Sequence, residues 1–208
     1  VDKHGGLIRK FTKEKERKNE LMSNKVQFGL SNVHFAQLKE TDGVSKYETP
    51  FAAQGAVSMT ATPTNTEVKF QADNNPNYYA AYANDGYTLE LAMALIEDEF
   101  KTRFLGYKKD TKGLIVEDVT VAGVPFALLF EINGDQEPIR CAYYRCTAGR
   151  PTLAPKSGTT PEAQTVPITV SKPYGSNYSF AYCRKTENPE AYDNWYKSVQ
   201  IFTEESGN

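Results

Sequence analysis

Cysteine is scarce in this sequence. Cys141, Cys146 and Cys183 are the only three in 208 residues, an odd count that leaves at least one thiol unpaired. Such usage points to reduced, buried structural thiols in a cytosol. Histidine is scarcer still, and neither His4 nor His34 lies near a cysteine in the chain, so the ligand set of a zinc site is missing. No uninterrupted apolar run approaches the ~18 residues of a membrane span, and the opening Val1-Asp2-Lys3-His4 has no signal-peptide core. These absences predict a soluble protein made in a cytoplasm, with no membrane partner and no metal.

Catalytic signatures are absent too. The chain has no G-x-G-x-x-G, no G-x-x-x-x-G-K-[ST], no H-E-x-x-H and no G-x-S-x-G, which removes the usual support for nucleotide, zinc-protease and hydrolase chemistry. A Cys-His nucleophile would have to use His34, which sits between Val33 and Phe35 in a strand-like stretch and reads better as a surface or satisfied core residue. Glu97, Asp98 and Glu99 could form a glycosidase pair, but acids at a helix start are what the helix dipole favours. Asn177-Tyr178-Ser179 matches a glycosylation acceptor, a short pattern that arises often by chance. The expectation is a protein without catalytic residues or cofactor, and not an enzyme.

What is present suits one domain. A chain of 208 residues with 39% hydrophobic composition buries roughly 70% of its unfolded surface without help from disulfides or metal. Lys plus Arg number 24 against 26 Asp plus Glu, a formal charge of −2. The charge is uneven: residues 1–21 hold seven basic and four acidic residues, which leaves 17 against 22, or −5, in the body. The run Lys13-Glu14-Lys15-Glu16-Arg17-Lys18-Asn19-Glu20 fits a solvated helix or a basic arm, and better still a translated ribosome-binding site, because its codons are purine-rich and Met22 follows at once. Met22 is the expected start, and residues 1–21 are expected to be a leader, disordered or loosely helical.

From residue 25 onward the dominant period is two. Tyr87, Leu89, Leu91, Met93 and Leu95 alternate with small or polar residues, as a half-buried strand does. Val26, Phe28 and Leu30 alternate likewise and then shift phase at Ser31-Asn32, which predicts a bulge. Val57, Met59 and Ala61, then Val68, Phe70 and Ala72, are weaker repeats; Val166, Ile168 and Val170, then Tyr178, Phe180 and Tyr182, are further ones. Phe126 to Ile132 is apolar on both faces, as a central strand would be. Asp42-Gly43, Asp85-Gly86 and Asn133-Gly134 supply hairpin-turn chemistry. A helix is expected over residues 97–105 with Gly106 as its stop, and a second short one from Pro189. Residues 149–165, rich in Pro, Gly, Ser and Thr, read as a long loop. The predicted fold is mainly β, an antiparallel β-sandwich or barrel with one flanking α-helix.

Segment 73–87 sets tyrosines among Asn and Asp without apolar spacing. Sugar stacking, calcium binding by oxygens and contact with another protein chain all use such composition, and protein contact is preferred.

The start Met22-Ser23-Asn24-Lys25-Val26-Gln27-Phe28-Gly29-Leu30-Ser31-Asn32-Val33-His34-Phe35-Ala36 resembles the opening of major tail (tail tube) proteins of long-tailed, non-contractile bacteriophages of Gram-positive hosts. Later blocks follow in that family's order: Gly55 to Ser58, Phe70 to Asn74, Asn84 to Tyr87, Ile96 to Phe100 with Leu105-Gly106, Pro125 to Glu131, and Tyr192-Asp193-Asn194-Trp195. The resemblance covers residues 22 to about 200, and the leader is its departure. It implies a single tail-tube domain over 22–208, made in the bacterial host cytoplasm and located in the virion tail. It further implies a homo-oligomer of hexameric rings stacked into the conduit for DNA ejection. Tape-measure, tail terminator and distal tail proteins would be its partners, and DNA would pass without specific binding. The −5 body agrees with a conduit that must not hold phosphate. Under this reading segment 73–87 and loops 40–50 and 149–165 carry inter-subunit contacts, with Tyr78, Tyr79 and Tyr82 as the interface residues. The alternative for these rings is a place in the subunit's own core. Rival functions are a carbohydrate-binding β-sandwich module and a secretion-system tube-like protein.

Overall fold

A computed structural model describes residues 24–203; the leader 1–21 and the Met22 start lie outside the described residues. The elements run β1 (Gln27–Thr41), β2 (Val44–Tyr47), β3 (Phe51–Ala52), β4 (Ala56–Ala72), β5 (Asn75–Met93), α1 (Asp98–Phe104), β6 (Tyr107–Lys109), β7 (Ile115–Glu117), β8 (Phe126–Gly134), β9 (Ile139–Ala148), β10 (Gln164–Ser171), β11 (Phe180–Arg184) and α2 (Pro189–Asn194). The protein is mainly β. The main sheet has the order β2-β1-β8-β9-β10-β5-β4, with β3 also on β1 and β11 also on β9, while β6 and β7 form a separate hairpin. Every strand pair is antiparallel.

The sheet curls over a single large core. Val33 and Phe35 of β1 share that core with Leu89, Leu91 and Met93 of β5, although β8, β9 and β10 stand between these strands in the sheet. Strands so far apart meet only if the sheet folds over on itself, as in a sandwich. Helix α1 packs onto this core through Phe100 and Phe104, one turn apart, and Phe104 lies 4.7 Å from Phe126 between ring centroids. Asp98 and Glu99 occupy its first turn, where the dipole favours acids. It stops as expected, with Gly106 at a φ of +73°.

Strand β8 is buried on both faces, as expected of a central strand. Its Phe126, Leu128 and Phe130 face the main core, while Ala127 and Leu129 meet a second cluster that contains Tyr192 and Trp195. Helix α2, capped by Asn188, whose side chain accepts from the Ala191 N–H, with Pro189 following, supplies that cover. The three thiols are free and buried. The expected bulge in β1 is present, with register shifts between Phe28 and Leu30 and between Ser31 and His34, and with Asn32 at a φ of +52°. Leu95 lies past the end of β5, and Tyr178 precedes β11.

Two of the three expected hairpin turns are corrected by the structure. Asp42-Gly43 does turn β1 into β2, both residues having positive φ. Asp85-Gly86 instead lies within β5, where Thr64 pairs with Gly86 and Asn65 with Asn84, so that Asp85 is a bulge. The turn of that hairpin is Asp73-Asn74, at φ of +49° and +60°. Asn133-Gly134 remains paired with Phe28 and Gln27, and the chain reverses after it. Both glycines answer to close approach: a Cβ on Gly86 would lie 2.1 Å from the Val170 carbonyl oxygen, and one on Gly134 would lie 2.0 Å from the Asn24 side chain.

Candidate functional site

Strands β4 and β5 form a hairpin much longer than the sheet it belongs to. Strand β10 pairs with β5 only from Met93 back to Tyr87. Beyond that point β5 has β4 as its one partner among the described residues, over Asn65 to Ala72 against Asn84 to Asn75. At ~3.3 Å per residue this two-stranded arm extends roughly 25 Å past the sheet. Nearly all of it is exposed on both faces. Among the described residues strand β4 is also the end of the sheet, so the outer side of its 17 residues has no strand partner there.

Residues directly opposite in the ladder share a face. One face of the arm carries Phe70 opposite Tyr79, Val68 opposite Ala81 and Thr66 opposite Ala83; the other carries Glu67 opposite Tyr82 and Lys69 opposite Ala80. Alternation places Tyr78 with Tyr82 on this second face. The three expected interface tyrosines thus sit on one arm but on opposite sides of it. They are 60%, 56% and 70% exposed for Tyr78, Tyr79 and Tyr82, which overturns the alternative that they fill the subunit's own core. The alternation of Phe70 with Val68 and Ala72 reads in the sequence as a buried strand face. In the structure Phe70 is 60% exposed.

The polar face of the arm is organised. The Tyr82 hydroxyl donates to Glu67 Oε1 at 2.8 Å, and Lys69 Nζ lies 2.9 Å from the same oxygen. These donors lower the carboxyl of Glu67, that of Lys69 most, while the carboxylate raises the Tyr82 phenol. These contacts link the Tyr82 ring to the Glu67–Lys69 pair of the neighbouring strand. Of the other expected contact segments, loop 40–50 contains the β1–β2 hairpin at the opposite end of the sheet, and the long loop ends at Gln164, where β10 starts.

Groups that could have supported chemistry are engaged structurally. His34 stacks on Tyr196 at 4.2 Å, and its Nδ1 lies 2.8 Å from the Asn32 carbonyl. Burial pushes its pKa below the ordinary histidine value, against the Asn32 carbonyl and with a smaller contribution from Arg140. Burial pushes the Cys141 thiol up to about 12 and that of Cys146 beyond it, the reverse of an activated nucleophile. Glu131 accepts from Arg140 Nε at 3.0 Å and from Asn32 Nδ2 at 3.0 Å. The Arg140 guanidinium lies 3.9 Å above the Tyr192 ring, tying α2 to the sheet. Asp98 and Glu99 pair with Lys101 and Arg103. Among the described residues no group of three or more His, Cys, Asp or Glu could hold a metal ion, and no helix is long and apolar enough to cross a membrane. Scanned against protein-family models the chain matches none, and no curated protein is similar to it in sequence.

Proposed function

We propose that this chain is a structural, self-assembling subunit of the tail-tube type, polymerising as stacked hexameric rings into a conduit for DNA in a phage virion tail. The observation that carries the reading is the arm. An isolated two-stranded ribbon is marginally stable in water, and this one exposes Val68, Phe70, Tyr78, Tyr79 and Tyr82 beside a 17-residue edge strand. Those are features to be covered in an assembly, and burying each large ring would contribute about 2 kcal/mol. The block order shared with major tail proteins supports the same reading, as does the acidic body, which disfavours phosphate along a bore. Tape-measure, terminator and distal tail proteins are the partners this function requires.

Negative-stain electron microscopy of the concentrated protein, as the full chain and beginning at Met22, with and without a tape-measure partner, tests the proposal. Rings or tubes of uniform bore are expected. Persistent monomers in all conditions would overturn it, and ligands on a glycan array would then favour the carbohydrate-binding alternative.

A further inference from the structure

The two ends of the main sheet carry surfaces that complement each other. At one end is the apolar face of the arm, with Phe70, Val68 and Tyr79 exposed. At the other end β2 is the edge strand, and beside it Val44, Tyr174 and Ile201, all exposed, line an open hollow of about 300 Å³. That space admits one large aromatic side chain. The hollow is braced: Ser45 Oγ donates to the Tyr174 carbonyl at 3.0 Å, the Tyr174 N–H donates to Glu40 at 3.1 Å, and Arg145 pairs with Glu40 at 3.1 Å. A braced apolar hollow open to water is what an aromatic anchor from a partner fills.

Charge agrees with the match. Residues 65–86 of the arm carry Glu67, Asp73 and Asp85 against Lys69. At the hollow, Glu40 is neutralised by Arg145, and the charged chain neighbours of the lining residues Gly43, Ser45, Tyr47 and Pro173 are Lys46 and Lys172 against Asp42. An acidic arm is therefore complementary to a weakly basic rim.

We propose that the hollow beside β2 receives Phe70 from the arm of a second copy of this chain, Val68 and Tyr79 covering its rim. This inference rests on the reading of the chain as a self-assembling subunit and assigns that assembly its contact. Donor and acceptor surfaces differ, so the contact is heterologous, and an open row of copies keeps one free arm at one end and one free hollow at the other until a ring closes.

The test uses two variants of the full chain, Phe70→Asp, which disables the arm, and Ile201→Asp, which disables the hollow. Both positions are exposed, and circular dichroism and thermal melting check that both fold. Each variant alone is expected to need at least about tenfold more protein to assemble than the parent. Mixed in equal amounts they are expected to form dimers of twice the 23.3 kDa chain mass and nothing larger, because one intact arm then meets one intact hollow. Normal assembly by Ile201→Asp alone, or a monomeric mixture where the parent forms rings, would overturn this contact while leaving the tube reading in place. A parent that stays monomeric, with a mixture that does too, would overturn both.

Discussion

Gly86 has a φ of +120°, and a Cβ there would fall on the Val170 carbonyl oxygen of the neighbouring strand. Because the obstacle is backbone, Gly86→Ala is expected to lower stability by about 3 kcal/mol, read from the urea midpoint. Tyr196 offers the opposite case. Its hydroxyl is buried with no hydrogen-bond partner among the described residues, so Tyr196→Phe is expected to be neutral or to stabilise by up to about 1 kcal/mol. His34, stacked on that ring and near the Arg140 cation, has its pKa lowered from 6.5, chiefly by burial. In the window below 6.5 the unfolded chain binds the proton first, so stability falls as pH falls until the folded state is protonated too. Denaturant melts between pH 7 and 5 should show this slope, and His34→Gln should remove it. None of these residue effects is visible in the sequence, where Gly86 reads as a turn residue and His34 as an isolated histidine, because each depends on a neighbour remote in the chain.

The β4–β5 hairpin divides into a base and an arm. At the base Leu89, Leu91 and Met93 enter the main core, whereas no residue of the arm from 66 to 83 belongs to either core cluster. Replacing residues 66–83 by an Asn-Gly turn is therefore expected to leave the melting transition of the subunit within about 1 kcal/mol of the parent. Ring formation in the electron microscope should be lost. A melting transition that collapsed instead would mean that the arm is structural within the subunit. The strand character of β4 and of β5 from Tyr87 onward was readable from period two, that of residues 75–86 was not, and α1 was readable from Phe100, Phe104 and the acids before them, as was α2 from Pro189. The length of the hairpin was not, because Asp85-Gly86 carries the chemistry of a turn while Asp73-Asn74 supplies the left-handed conformation without a glycine.

At the scale of the molecule, a curled sheet covered by α1 on one face and α2 on the other has β2 and β4 at the two ends of its strand order, the places where the proposed assembly would join its copies. The body outside the first 21 residues is net −5. Assembled protein is therefore expected to bind duplex DNA no more tightly than about 10⁻⁴ M at physiological salt. A filter-binding titration across salt concentrations checks this, and tight salt-dependent binding would contradict a conduit.

The sequence by itself determined that the chain is β-rich and antiparallel, that Phe126 to Ile132 runs through its centre, and that its thiols are buried, because alternation, apolar runs and scarcity of cysteine are local properties. Only the tertiary structure decided which alternating faces found cover. Val166, Ile168 and Val170 alternate no more regularly than Val68, Phe70 and Ala72, yet the first set lies in the core and the second on an arm in water. The difference is that β10 has a strand on each side and a core beneath it, whereas the arm has run past every strand that could shelter it.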